Sequence, residues 1–390
     1  MLFAAVHAII QSMKKTVISL VCACLLAAGC TSESSAPVSS TGEGKAAYTN
    51  FSTDVGFDTV FSYKETLAVQ EEAEERFNLC CETLDYYNSL FDIYNTYEGI
   101  NNLKTVNDNA GIAPVEVDPV IIDMLKTAKT FYEISGGEFD ITIGSLLKVW
   151  HLYRENGISL NEEGKYGQVP SLAELEDAAQ YSGWEHVVID EDNSTVYIDD
   201  KNVSLDVGGI AKGYATEAAA LAAEEAGLDS GFVNVGRNIR TVGEKAPGTP
   251  WKVGIADPEG ALVNGVVILD QEGSFSFVTS GDYERYYIGN DGNTYSHIID
   301  PETFYPADYY RSVTILTEDS AAADCLSTTL FTLSVEEGKE VLEKYEEMSG
   351  ESASAVWIMA PEKAQGNGTE VNGYYVVYTE DLEGVLTWGS

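Results

Sequence analysis

Leu205-Asp206-Val207-Gly208-Gly209-Ile210-Ala211-Lys212-Gly213-Tyr214-Ala215 changes character half-way along. An apolar start meets a glycine pair, and an Ala/Glu-rich run from Lys212 to Ala226 follows, stopped by Gly227. The first half predicts a short strand and the second a helix beginning near Ile210. Glycines at such a junction let backbone approach a ligand, and a helix start offers free N–H groups and the positive end of a dipole. Lys212 adds a mobile cation at that spot. The order Gly-Gly-x-x-Lys-Gly is neither the dinucleotide fingerprint nor the P-loop. Alone, the segment reads more readily as a tight turn with a surface lysine than as a phosphate site.

Outward from this junction the pattern stays mixed. Gly56–Tyr63 is strand-like and precedes a helical stretch, Glu72 to Tyr94, with Leu79, Leu84 and Leu90 on one stripe. Pro119 to Ser135 predicts a helix stopping at Gly136-Gly137, and 187–189 with 195–198 a hairpin. Short apolar segments follow at 232–235, 251–255, 263–270, 275–278 and 313–316. Helices are predicted at 321–333 and 335–348, and a strand at 373–378 is expected to be the last element of the chain. Strands and helices alternate without a regular βαβ rhythm, which indicates α+β or irregular α/β.

At the N-terminus, Met13-Lys14-Lys15, an apolar run from Val17 to Ala28 and Gly29-Cys30 read as a secretory signal ending in a lipobox-like Leu26-Ala27-Ala28-Gly29-Cys30. Residues 1–30 are thus expected to be a lipoprotein leader, with Met13 the expected start. Cys30 is the expected lipidation site, tethering the protein to the outer face of a membrane. Residues 31–47, rich in Ser, Thr and Gly, read as a flexible tether, and 48–390 as the folded domain. The leader leaves Cys30, Cys80, Cys81 and Cys325, without a disulfide framework or zinc-type spacing.

The 390 residues hold 22 Lys+Arg against 63 Asp+Glu, a formal charge of −41. That excludes a non-specific nucleic-acid binder, which needs cations to replace phosphate counterions. A phosphate-bearing substrate would require a metal or focused local donors here.

Further segments carry candidate chemistry. In Tyr295-Ser296-His297-Ile298-Ile299-Asp300-Pro301, the imidazole could serve as a general base or a hydrogen-bond donor to phosphate, or could cap the turn. In Ala323-Asp324-Cys325-Leu326-Ser327-Thr328, Asp324 and Thr328 stand i, i+4 on one helix face. Both are hard oxygen ligands of the Mg²⁺ type; the alternative is an N-cap with a buried Thr. Thr279-Ser280-Gly281-Asp282-Tyr283-Glu284-Arg285 is a polar turn whose arginine either orients phosphate or pairs with an acid. Gly136 to Gly144 supplies Asp140 in a Gly-flanked loop.

Taken in order, these segments resemble the ApbE family, the FAD:protein FMN transferases. Phe57-Asp58-Thr59-Val60, Gly137-Glu138-Phe139-Asp140-Ile141-Thr142, Asp206 to Ala215, Asn234-Val235-Gly236-Arg237-Asn238, Thr279 to Arg285, His297 to Pro301 and Ala323 to Thr328 carry the likeness across nearly the whole domain. The resemblance implies an α+β, T-fold-like architecture of mixed sheets packed with helices. It also implies Mg²⁺-dependent transfer of FMN from FAD to a Thr or Ser hydroxyl of an extracytoplasmic redox protein, with AMP leaving. By the same resemblance Asp324, Thr328 and a carbonyl near Gly209 would hold the metal. Asp140, Lys212, Asp282, Arg285 and His297 would contact FAD. His297 would be the catalytic histidine, with Asp300 orienting its ring. The alternatives are an FAD pyrophosphatase and a non-catalytic flavin-binding lipoprotein. Two departures stand out: Arg237 and Phe304 occupy positions where the family usually has glycine.

Overall fold

Asp118 accepts a hydrogen bond from the Val120 amide, Pro119 takes the first helical position, and Gly136 ends the helix in the left-handed region at φ 72°. Cap, proline and glycine together fix 119–135 as a helix, as the sequence predicts. The computed structural model describes residues 45–262, 265–364 and 367–389. The leader, Cys30 and most of the tether therefore lie outside the described residues.

The elements begin with β1 (Ala46–Ser52), β2 (Phe61–Ala68), α1 (Gln70–Phe91), α2 (Leu103–Asp108) and β3 (Val115–Glu116). Next come α3 (Pro119–Ser135), α4 (Gly144–Glu162), α5 (Leu172–Ala179), β4 (Val187–Asp190) and β5 (Thr195–Ile198). Then follow α6 (Ala211–Glu225), β6 (Gly231–Val235), β7 (Asn238–Val242), β8 (Trp251–Ile255) and β9 (Val267–Gln271). After β10 (Ser276–Gly281) come the short strands β11 (Tyr286–Ile288) and β12 (Thr294–Ser296), then β13 (Ser312–Thr317), α7 (Ser320–Thr332) and α8 (Val335–Ser349). The last are β14 (Ser354–Met359), α9 (Pro361–Ala364), β15 (Thr369–Val371), β16 (Tyr374–Tyr378) and β17 (Leu386–Trp388).

A nine-stranded sheet runs β1-β2-β6-β7-β10-β13-β14-β16-β15. Each of its ladders is antiparallel, so the architecture is α+β with helices massed on the sheet. Every residue of α7 except Thr328 is buried, the polar Ser320, Asp324, Ser327, Thr329 and Thr332 included, as in a helix enclosed by neighbours on all sides. It packs against α6, β10 and β13, while α1, α6, β2 and β6 enclose a second cluster around Phe61, Phe77 and Leu84. A smaller cluster joins α4 to the β11–β12 hairpin through Trp150, Tyr287 and Tyr295.

Four expectations are corrected. Ala46 and Ala47 already belong to edge strand β1, so the tether does not extend to residue 47. Gly56, Phe57 and Asp58 all have positive φ, so 56–60 is a turn and the strand starts at Phe61. Asn88 shapes that turn: it accepts from the Phe57 amide at 2.8 Å, and a side chain at Gly56 would overlap it. Leu205 is not in a strand, because Asn107 takes its backbone instead, accepting from its N–H at 2.8 Å and donating to its carbonyl at 2.9 Å. Residues 374–378 are followed by a further strand, β17, which pairs with β9.

Candidate active site

Helices α6 and α7 touch where Gly213 faces Ser320 and Asp324. A Cβ at Gly213 would stand 2.2 Å from the Ser320 carbonyl oxygen and 2.6 Å from the Asp324 Cβ. Only glycine permits that approach. It puts the Gly213 amide, in the open first turn of α6, 2.8 Å from Asp324 Oδ2. Lys212 Nζ stands 3.4 Å from Asp324 Oδ1. Asp324 is 3% exposed, a buried carboxylate held by a helix-start amide and an ammonium. At the other edge, a Cβ on Gly209 would meet Thr328 Oγ1 at 3.2 Å. The structure therefore brings Gly209, Lys212, Asp324 and Thr328 together from the α6 junction and one face of α7.

These oxygens fit a hard divalent cation: a carboxylate whose Oδ1 is only loosely engaged, a hydroxyl and a peptide carbonyl. Among the described residues no group of three or more His, Cys, Asp or Glu side chains gathers into a metal site. The hydroxyl and carbonyl would be essential members of this set.

His297 follows β12, and Arg285 precedes β11. Tyr286 pairs with Ser296, so Arg285 and His297 stand opposite each other just past the last paired residues. Nδ1 of His297 is buried and has no hydrogen-bond partner among the described residues. Burial, then Arg285, Arg154 and Lys212, push the imidazole down to about 3, with the Arg285 backbone pulling the other way. Burial thus favours the neutral ring, with Nδ1 the nitrogen left without a partner.

Asp300 does not orient this ring. Its Oδ1 accepts from the amides of Glu302 and Thr303 at 2.8 and 3.0 Å, which is turn chemistry. Asp282 is likewise committed elsewhere: Arg311 Nε holds it at 2.9 Å, and Arg311 continues to Glu259 at 3.0 Å. Burial raises the Asp282 carboxyl, and Arg311 opposes it. Asp140 accepts from the amide and hydroxyl of Thr142; burial raises it against those bonds. Its neighbour Phe139 is the residue that reaches Gly209.

The two glycine departures keep the glycine backbone. Arg237 has φ 75° and Phe304 φ 66°, a left-handed conformation costing an ordinary residue about 1–2 kcal/mol. Two hydrogen bonds hold the turn at Phe304: Trp150 Nε1 donates to the Phe304 carbonyl at 2.7 Å, and the Phe304 amide donates to Asp300 O at 2.9 Å. Arg237 lies over the Tyr283 ring at 5.2 Å and pairs with Glu284 at 2.8 Å, so its guanidinium is already engaged.

Sequence reasoning missed Asp206, His151, Arg154 and Tyr94 as members of this neighbourhood. Asp206 accepts from the Gly208 amide; burial raises it, opposed by Arg154 and His151. His151 stacks on Tyr94 at 5.2 Å and contacts Arg154 Nη2 at 2.9 Å. For His151 and Arg154 the signal available was scarcity, since the chain has few basic residues.

What fold and site define is an α+β protein with a helix start, an acid–hydroxyl pair and a buried imidazole set among cations, equipment suited to an anionic ester. The ApbE family model matches residues 57–350, and the chain belongs to that family. A FAD:protein FMN transferase of Klebsiella pneumoniae (strain 342) is 30% identical over 271 residues, covering 66% of this chain and 79% of the relative. One from Treponema pallidum (strain Nichols) is 32% identical over 257 residues, covering 62% and 68%. The crystal structure of the ApbE protein from Thermotoga maritima aligns with TM-score 0.69 and 30% identity over 86% of this chain and 98% of that one. A flavin transferase ApbE from Vibrio cholerae, at 23% identity and TM-score 0.67 over 87% and 99%, shares the fold.

Proposed function

We propose that the protein transfers FMN from FAD to a Thr or Ser hydroxyl of an acceptor flavoprotein outside the cytoplasm, releasing AMP. The observation that carries this reading is the meeting of Asp324, Thr328, Gly209 and Lys212 on the α6–α7 contact in a chain of this family. Its relatives bear the transferase name.

Asp324, Thr328 and the Gly209 carbonyl would hold a Mg²⁺ ion, which when bound supplies charge neutralisation on the pyrophosphate. Lys212 and the open first turn of α6 add positive potential at the same place. His297 takes the proton of the attacking hydroxyl. As that oxygen bonds to the FMN-side phosphorus, the P–O bond to AMP breaks, and the bridging oxygen leaves with AMP. An imidazole near 3 is a weak base, but the substrate's negative charge offsets Arg285 and Lys212 and raises its proton affinity. The leader supports export and a lipid anchor at Cys30. Intact-mass analysis of membrane-extracted protein checks that anchor by the diacylglyceryl mass at Cys30.

The test of function is incubation of the soluble domain with FAD, Mg²⁺ and candidate acceptors. The acceptor is expected to gain the mass of FMN with equimolar AMP, and chelation or Asp324→Ala to abolish the gain. Acceptor-independent AMP release at a comparable rate would instead select FAD hydrolysis. FAD binding without AMP release, untouched by Asp324→Ala, would select a flavin-binding protein.

A further inference from the structure

The chain has six arginines. Four are ion-paired: Arg76 with Glu65, Arg237 with Glu284, Arg240 with Glu217, and Arg311 with Asp282 and Glu259. The remaining two, Arg154 and Arg285, have no carboxylate at salt-bridge distance among the described residues, although 63 acids are available to the chain. These two lie in one place.

Their juxtaposition follows from how α4 seats on the β11–β12 hairpin. Trp150 stacks on Tyr295 with ring centroids 5.5 Å apart. Gly157 lies so close to Tyr287 that a Cβ would stand 2.3 Å from the ring. Asn161 Oδ1 accepts from the Ile288 amide at 2.6 Å. Arg154 is four residues after Trp150 and three before Gly157, so it shares the helix face that covers the hairpin. It therefore overhangs the hairpin's open end, where Arg285 and His297 face one another. Burial and the neighbouring Arg285 pull the Arg154 guanidinium below its ordinary value, with Glu155, Tyr94 and Asp206 opposing from beyond ion-pair distance. Two unpaired like charges, one of them partly buried, are costly to keep unless an anion joins them.

We propose that Arg154 and Arg285 form a two-guanidinium clamp for the pyrophosphate of the dinucleotide substrate, with Arg154 supplied by α4 and braced by His151. The assignment rests on the transferase reading for the identity of the dinucleotide. Guanidinium forks match phosphate oxygens bidentately, so the clamp selects phosphorylated flavin over riboflavin.

The test compares the parent, R154Q, R154K and R285Q for binding of FAD, ADP and riboflavin by calorimetry and flavin fluorescence, in Mg²⁺. R154Q is expected to weaken FAD and ADP at least tenfold while leaving riboflavin within twofold, and R154K to keep most of the affinity. Arg285 is exposed, so R285Q serves as the second variant if R154Q does not fold, with the same selective loss expected. The clamp is overturned if both variants bind FAD and ADP within twofold of the parent, or lose riboflavin equally. The parent reading fails separately: if the parent binds ADP through Arg154 yet neither binds FAD nor modifies any acceptor, the clamp stands and the transferase does not.

Discussion

At the scale of single residues, His297 concentrates the site's tension. Its imidazole is held down to about 3 by burial and by Arg285, Arg154 and Lys212, against an ordinary value near 6.5. Between those two values the unfolded chain binds a proton that the folded chain does not, so this residue makes stability fall as pH drops below about 6.5. His297→Asn, which keeps size and polarity without a comparable titration, is expected to flatten the decline in Tm between pH 7 and pH 5. An unchanged decline would show that the ring is not held neutral. In catalysis the same variant is expected to bind FAD normally and to transfer FMN about 10²–10⁴ times more slowly, the usual range for a lost general base. Equilibrium binding and single-turnover transfer separate the two effects. Asp300, by contrast, serves its own turn, so Asp300→Asn is expected to cost stability more than it alters the pH–rate profile.

At the scale of elements, the contact of α6 with α7 makes the site, and Gly213 makes the contact. An added methyl would meet the Ser320 carbonyl oxygen at 2.2 Å, a backbone atom with no rotamer to move. Gly213→Ala is expected to cost about 1–3 kcal/mol by overpacking. It should also displace Asp324, so its loss of Mg²⁺-supported transfer should exceed what its fall in Tm accounts for. Calorimetry and a transfer assay well below the transition separate the two. What was legible in the sequence followed the same logic of local signals. The helix at 119–135 could be read because a cap, a proline and a glycine mark its ends, and the Asp324/Thr328 pair because i, i+4 spacing is visible on any helix. The helix α4 was not legible: its buried residues are only Gly144, Leu146, Trp150 and Gly157. Two glycines blur so thin an apolar stripe. Arg154 was hidden with it. Asp282 and Asp300 misled because a sequence shows which acids lie near a motif but not which amide or guanidinium takes them. Arg311 lies 29 residues beyond Asp282, and only the β10–β13 ladder brings them together.

At the scale of the whole molecule, a chain of charge −41 must attract a dinucleotide that is itself an anion. Its long-range field repels FAD, while the proposed contacts of Lys212, Arg154 and Arg285 would attract it only at close range. The two effects have different reach. At about 10 mM salt the Debye length is about 30 Å and the excess acids are felt well beyond the surface, whereas at 0.15 M it shrinks to about 8 Å. Screening therefore removes the distant repulsion sooner than the contact attraction, which acts at hydrogen-bond range. The association rate of FAD is thus expected to rise between about 10 and 150 mM NaCl, the reverse of the fall seen when a cationic surface steers a phosphate ligand. The dissociation rate should also rise with salt as the contacts at the guanidinium groups weaken, and in R154Q that second dependence should be reduced while the first is kept. Stopped-flow flavin fluorescence across a salt series in fixed Mg²⁺ measures both rates. An association rate that falls with salt in the parent would mean that the local cations govern approach as well as capture, and that the excess carboxylates face away from the cleft.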